Sequence, residues 1–244
     1  VQAWLDRHAV ATPDLWIVVG NAAAYFSAVY VTLERFWPRL EGAWALLLGA
    51  ACVAIARAYK QRVPGDNATV GVHLGQAIVF LAIAFPLAFN GPWVTLAWAV
   101  QGAVLLWLAS RRVDSKTFTA GGLMVLLLAV LRVVAFDPFW YAPNRPVWNI
   151  SYAVHLLVVA AFVIAGWVSG KREDLRTALW FTASGLLAIL LWREPTGLWP
   201  AGLLLVLLLV LAWLGRVQGD RAFLVATPLL AVVLFVRLFV KDAE

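Results

Sequence analysis

The sequence predicts an all-α, polytopic membrane protein with about nine transmembrane helices, arranged as two parallel four-helix repeats plus one extra N-terminal helix. Three observations predict this class: a mean hydropathy of +0.86, apolar runs long enough to cross a bilayer, and a recurring pattern of Gly and Trp. With 64% hydrophobic and 13% charged residues, an ordinary water-soluble domain is excluded. The apolar residues come in blocks without alternation, which excludes an outer-membrane barrel.

Short polar turns separate the predicted spans. In order, we place the spans at 15–33, 43–58, 70–89, 92–109, 118–136, 150–169, 176–192, 198–214 and 222–240. The N-terminal segment 1–14 predicts at most a weak interfacial helix that ends at Pro13. Two short motifs predict tight hairpins, namely "NGP" at 90–92 and "REPTG" at 193–197.

The Lys and Arg residues divide unevenly between the two sides of this topology. Twelve of the nineteen lie in the N-terminal tail and in the loops that follow even-numbered spans, while six lie on the opposite side. The positive-inside rule therefore predicts a cytoplasmic N-terminus and a C-terminus on the opposite, outer side of the membrane. Because the basic residues are scattered singly, the net charge of +6 does not indicate nucleic acid as a partner.

An internal repeat sets the predicted domain organisation. Three residues recur 106 positions later: Gly91, Trp93 and Trp107 are followed by Gly197, Trp199 and Trp213. Upstream, residues 46–62 resemble residues 156–172. An even number of spans separates equivalent helices, so the copies share one orientation. We expect these parts: an N-terminal tail and orphan helix at 1–42, the first repeat at 43–137, an outer aromatic loop at 138–149 and the second repeat at 150–244. The orphan helix is interpreted as the last helix of an earlier copy.

Three stretches carry a resemblance to a known family: "GPWVTLAWAVQGAVLLWL" (91–108), "FTAGGLMVLLLAVLRVVAFDP" (118–138) and "NRPVWNISYAVHLL" (144–157). Over roughly residues 15–240, the chain resembles the C-terminal part of the bacterial multi-spanning membrane family called domain of unknown function 2339. The resemblance implies a bacterial inner-membrane protein, and hence a periplasmic C-terminus. It also implies a longer protein with more spans, and it brings no established activity. The family often has Glu where this chain has Gln101.

Arg132 is the most costly residue to place within a predicted span, because its guanidinium must snorkel or find an acceptor. It precedes Asp137 by five residues, as Arg237 precedes Asp242. One interpretation is a site for an anion or a lipid headgroup on the outer face, with Arg as the donor. The other is snorkelling together with an ion pair that locks the end of the helix.

The outer loop combines aromatic rings with planar polar groups. Its candidate binding residues are Trp140, Tyr141, Asn144, Arg145, Trp148 and Asn149. Such a set is suited to binding a sugar or a lipid-linked glycan, and interfacial anchoring of the loop gives the same composition.

Two further sets of residues lie within the spans. Amides and hydroxyls either line a polar pathway or bridge neighbouring helices: Asn21, Gln76, Gln101, Thr177 and Ser184. Small residues predict close helix contacts: Ala22, Ala23, Ala24, Gly102, Gly121 and Gly122.

No catalytic set is recognisable in the sequence. His73 and His155 are predicted at different depths of the membrane, so we interpret them as polar packing and expect no haem and no metal. The single Cys52 cannot form a disulfide or a thiolate cluster within this chain. Paired intramembrane carboxylates, a Ser/His/Asp set and a phosphate-binding loop are all missing from the sequence. We therefore expect no catalytic residues and no cofactor.

These observations favour a non-catalytic membrane subunit or scaffold that binds membrane lipids or another membrane protein. The alternative is transport or handling of a lipid or glycan precursor at the outer face of the membrane, and an enzyme ranks third.

Overall fold

The computed structural model describes residues 11–111, 115–136, 150–169 and 172–193, together with single positions further along the chain. Within these residues the backbone is helical, with no strand. Seven long helices follow one another, and a turn of 3₁₀ helix, Pro38–Leu40, joins the first two. The long helices are α1 (Thr12–Phe36), α2 (Glu41–Arg62), α3 (Asn67–Ala88), α4 (Pro92–Arg111), α5 (Ser115–Ala135), α6 (Ile150–Val168) and α7 (Glu173–Arg193).

The six helices α1 to α6 are long and apolar enough to cross a membrane. This confirms the predicted class of multi-spanning helical membrane protein. Each of the seven helices begins and ends within four residues of a predicted span, mostly extending it, because flanking polar residues continue the helix beyond the apolar run. The spans predicted at 198–214 and 222–240 fall almost entirely outside the described residues.

Pro13 begins a helix in the described part of the chain, although the sequence suggested that it ends one. It lies in the first turn of α1, and Asp14 follows it. A proline fits there because its missing N–H has no partner in the first turn of any helix, and its fixed φ suits the helix. The predicted interfacial helix in residues 1–10 lies outside the described residues.

The chain forms two compact units, one of residues 1–90 with 116–121 and one of residues 91–115 with 122–244. In the first unit, α2 and α3 form a tightly packed helical hairpin. The buried face of α2 carries small residues three and four positions apart: Gly42, Ala45, Gly49, Cys52 and Ala56. A Cβ added at Gly42 would lie 3.1 Å from the Cβ of Ala88. Small side chains therefore let the two backbones approach closely, as in membrane helix pairs generally.

A side-chain cap fixes the start of α3. Asp66 accepts hydrogen bonds from the backbone N–H of Thr69 at 3.0 Å and from the Thr69 hydroxyl at 2.6 Å. Across the same turn, Lys60 donates to the Asn67 side-chain oxygen at 2.7 Å. The turn that joins α2 to α3 is thus held by bonds from both of its ends.

In the second unit, α6 packs against α4 and α7 around an aliphatic core. Alanines occupy many core positions, and larger side chains such as Leu106, Phe162 and Leu186 fill the space between them. At one crossing, α4 and α5 meet glycine to glycine. A Cβ at Gly102 would lie 3.0 Å from the Gly122 carbonyl oxygen, and a Cβ at Gly122 would lie 3.1 Å from the Gly102 carbonyl oxygen. The predicted close helix contact at these two glycines is confirmed.

Candidate functional sites

The first candidate site surrounds Arg132, in the last turn of α5. Its guanidinium is part-buried and donates from Nη2 to the Gly91 carbonyl oxygen at 3.2 Å. The guanidinium carbon also lies 5.9 Å from the centre of the Trp98 ring, a cation–π distance. Gly91 has a φ of 59°, a left-handed conformation that favours glycine, and α4 starts at the next residue. The turn predicted from "NGP" is therefore present, and Arg132 attaches the end of α5 to it.

The other predicted members of this site cannot be placed beside Arg132. Asp137, Arg237 and Asp242 lie outside the described residues, and so do all six candidate residues of the outer loop. Among the described residues, a carbonyl oxygen and a ring face orient the guanidinium. The anion or headgroup site, and the glycan-binding loop, stay predictions.

The second candidate site is a part-buried polar cluster in the first unit, centred on Gln76 of α3. Its Nε2 donates to the Val18 carbonyl oxygen of α1 at 3.4 Å. Its Oε1 then faces His73 Nδ1 at 3.1 Å and Cys52 Sγ at 4.0 Å. Because an amide oxygen only accepts, both of these neighbours donate to it, and the Nδ1 atom of His73 carries the proton. The His73 ring also lies 6.3 Å from the ring of Tyr59.

One amide in this cluster therefore joins three helices, α1, α2 and α3. This agrees with the interpretation that Gln76 bridges helices rather than lining a polar pathway. Its Nε2 is bonded to α1, and its Oε1 accepts from Cys52 of α2 and from His73 of its own helix. The sequence alone did not connect His73 with Gln76. Their spacing of three, which places them on one helix face, was the available signal for the pair.

In the second unit, His155 has a bond within its own helix. Its Nδ1 donates to the Ser151 carbonyl oxygen one turn earlier in α6, at 2.7 Å. A small cleft lies beside this ring and is lined otherwise by aliphatic side chains, among them Val133, Val158 and Leu186. Within the described residues, no three His, Cys, Asp or Glu side chains come close enough to hold a metal ion together. The bond to Ser151 agrees with the interpretation of His155 as polar packing.

The third candidate is a surface, the outward face of α1. Residues on one side of this helix are partly buried, whereas those on the other side are exposed over its whole length. The outward face consists of Ile17, Gly20, Asn21, Ala24, Ala28 and Thr32, and we call it the α1 outer face. Ala22 packs inward as predicted, whereas Ala23 and Ala24 are exposed.

Long apolar helices with small residues at their crossings define a polytopic α-helical membrane protein. The sequence model of one protein family, described as "Predicted membrane protein (DUF2339)", matches residues 3–241. The chain belongs to this family, which confirms the resemblance carried by the stretches at 91–108, 118–138 and 144–157. No curated protein and no solved structure matches the chain.

Proposed function

We propose that this protein is a non-catalytic membrane subunit or scaffold that works by binding another membrane protein or membrane lipids. The observation that carries the proposal is the α1 outer face. It is a membrane-length surface with a polar side chain, Asn21, in its central part, while the opposite face of the same helix is partly buried. A surface of this kind is suited to helix–helix association within a bilayer.

The polar groups inside the described spans give a second line of support. Gln76 bonds to Val18, His155 bonds to Ser151, and Ser184 donates to the Trp180 carbonyl oxygen of its own helix. Bonds of this kind stabilise helices and their contacts.

The second candidate function is the transport or handling of a lipid or glycan precursor. The orientation of Arg132 supports it, because Trp98 and Gly91 hold the guanidinium in the last turn of α5, next to the sequence of the aromatic loop. Guanidinium groups at the ends of membrane helices are suited to phosphate headgroups. On this proposal, Arg237 is the equivalent donor in the second repeat, and Asp137 and Asp242 orient the two arginines.

The finer architecture belongs to the same proposal: nine spans, two parallel repeats, and an N-terminus on the cytoplasmic side of a bacterial inner membrane. Two helix pairs support it. The pair α2–α3 and the pair α6–α7 occupy corresponding places in the proposed copies, and in each pair the two helices pack against each other. The biased distribution of Lys and Arg supports the orientation.

Purification from native membranes in lipid-preserving polymer discs tests the function. We expect the protein to carry a stoichiometric membrane protein, which is either a second copy or another chain, or a defined lipid. Mass spectrometry of the bound proteins and lipids is the measurement, and an unrelated polytopic protein purified in the same way is the control. A protein that is monomeric and carries only the bulk lipid mixture would contradict the proposal.

A further inference from the structure

A small cleft opens in the second unit where α4 and α6 end and α7 begins. Its lining combines a guanidinium, two hydroxyls and three apolar side chains: Arg172, Ser110, Ser169, Leu106, Ala109 and Leu175. We call it the α4–α7 cleft. Leu106 belongs to the aliphatic core of this unit and Leu175 packs against that core. The cleft is therefore apolar on its inner side, and its polar groups lie at the ends of the helices.

Two exposed tryptophans mark the depth of this cleft. Trp107 lies three residues before Ser110, and Trp167 lies two residues before Ser169. Each ring is thus roughly 3 to 5 Å along the chain axis from a residue that lines the cleft. Exposed tryptophans are enriched at the level of the lipid headgroups. The α4–α7 cleft therefore lies at the depth where a phospholipid places its phosphate.

The start of α7 brings charges of both signs to the cleft. Arg172 is exposed and lines the cleft, and the exposed acids Glu173 and Asp174 follow it in the first turn of the helix. A guanidinium has five N–H donors and binds phosphate oxygens through two of them at once. The neighbouring carboxylates disfavour a headgroup with a net negative charge and favour one that brings its own cation. The charges fit a zwitterionic phospholipid.

The two hydroxyls determine which zwitterionic headgroup fits. The Ser110 hydroxyl donates to the Trp107 carbonyl oxygen at 2.7 Å, and the Ser169 hydroxyl donates to the Ala165 carbonyl oxygen at 2.7 Å. Because a hydroxyl has only one proton, both serine oxygens can act only as acceptors for a ligand in the cleft. A primary ammonium donates up to three hydrogen bonds, whereas a trimethylated ammonium donates none.

We propose that the α4–α7 cleft binds a phospholipid with a primary-ammonium headgroup, such as phosphatidylethanolamine. Arg172 binds the phosphate, and the oxygens of Ser110 and Ser169 accept hydrogen bonds from the ammonium. The inference rests on the proposed function and names both the lipid and its site. An anionic lipid such as phosphatidylglycerol would gain the same guanidinium but would meet the two carboxylates, and it is the competing outcome of the test.

Native mass spectrometry of the whole purified protein, titrated with one lipid at a time in detergent, tests the proposal. The probes are phosphatidylethanolamine, phosphatidylcholine and phosphatidylglycerol with identical acyl chains. The first two differ only in the methyl groups on nitrogen, so comparing them isolates the hydrogen bonds of the ammonium. We expect phosphatidylethanolamine to bind roughly fivefold more tightly than either of the others, the factor that about one net hydrogen bond produces. Equal binding of phosphatidylethanolamine and phosphatidylcholine, or tighter binding of phosphatidylglycerol, would overturn the proposal.

Variants of the lining residues assign the two parts of the headgroup. Arg172→Gln should weaken the binding of all three lipids roughly fivefold, because it removes the donor to the phosphate. Arg57→Gln is the matched control, since it removes the same charge from an exposed position in the first unit, and it should change binding less than roughly twofold. Equal effects of these two variants would contradict the assignment of Arg172.

Replacing both serines by alanine tests the acceptors. Ser110→Ala combined with Ser169→Ala should abolish the preference for phosphatidylethanolamine and leave the binding of phosphatidylcholine unchanged. Alanine is compatible with the ends of these helices, and a merely structural effect would weaken both lipids alike. A double variant that keeps the preference, or that loses both lipids equally, would contradict the role of the hydroxyls.

The titration also separates this proposal from the more general one. If the protein shows no preference for phosphatidylethanolamine, but still carries another membrane protein or a different defined lipid in polymer discs, the assignment of the cleft is wrong and the function as a subunit stands. If it carries no stoichiometric protein and no defined lipid either, both proposals fail.

Discussion

Gln76 of α3 donates a hydrogen bond to the carbonyl oxygen of Val18, 58 positions earlier in α1. That carbonyl belongs to the interior of a helix, where its usual partner is the N–H four residues later. An amide that reaches it adds an attachment between two membrane helices that otherwise touch over a small area. The position of α1, and hence the direction in which its outer face points, depends on this bond together with the contact of Phe26 with Phe80.

Replacing Gln76 by leucine should therefore loosen α1. Gln76→Leu removes the acceptor of His73 and Cys52 as well as the donor to Val18, and we expect the protein to lose about 1 to 2 kcal/mol of stability. Thermal unfolding in mild detergent measures this loss. The matched control is Asn21→Leu, which changes an exposed amide to the same side chain and should leave the stability of the solubilised monomer within about 0.5 kcal/mol. Equal losses of stability in the two variants would show that the Gln76 bridge does not stabilise the protein.

Arg132→Ala should destabilise the second unit. It removes the hydrogen bond to Gly91 and the contact with the Trp98 ring, and a loss of about 1 to 3 kcal/mol is expected. Arg132→Lys keeps the charge but not the planar fork, so its effect should be intermediate. Arg35→Ala serves as the control, because Arg35 is exposed and faces the ring of its own neighbour Phe36. Unfolding temperatures compare the three variants, and an Arg132→Ala protein as stable as the Arg35→Ala protein would contradict the arrangement.

The crossing of α4 and α5 predicts a strong effect of a single methyl group. Gly102→Ala would place its Cβ against Leu126 and against the Gly122 carbonyl oxygen, and forcing the helices apart should cost about 1 to 3 kcal/mol. Gly185→Ala in α7 is the matched control, because its Cβ would meet nothing within 4 Å. There the better helix propensity of alanine should stabilise the protein by about 0.5 to 1 kcal/mol. Unfolding of both variants in detergent compares their changes in stability. If both substitutions stabilise the protein, or both destabilise it, the prediction is wrong.

The cap of α3 gives a prediction outside the hydrocarbon. Asp66→Ala removes the acceptor for the Thr69 backbone N–H and hydroxyl, and the expected cost is about 1 kcal/mol. Asp66→Asn retains an acceptor and should recover most of this stability. Hydrogen exchange of the first turn of α3 is the direct readout, because loss of the cap exposes those amides. Unchanged exchange in Asp66→Ala would show that the cap does not hold the turn.

Composition and local pattern were sufficient to predict the helices, since apolar runs of bilayer length permit few other structures. Gly102 and Gly122 were predictable as a crossing for the same reason, because two membrane helices approach closely only where side chains are small. The Gln76 cluster was not predictable as a unit. It needs the depth and rotation of α1 relative to α3, which are set by packing between residues more than 50 positions apart. Likewise, the alanines at 22, 23 and 24 look alike in the sequence, and only the packing of Phe26 determines that the first faces inward.

The most direct test of the account is the mass of the protein in polymer discs cut from native membranes, measured by native mass spectrometry at several protein concentrations. The account predicts a complex with a whole-number stoichiometry, in which the chain is joined by a second membrane-protein chain or by a defined lipid. A single chain at every concentration, with no companion protein and no defined lipid, would contradict it.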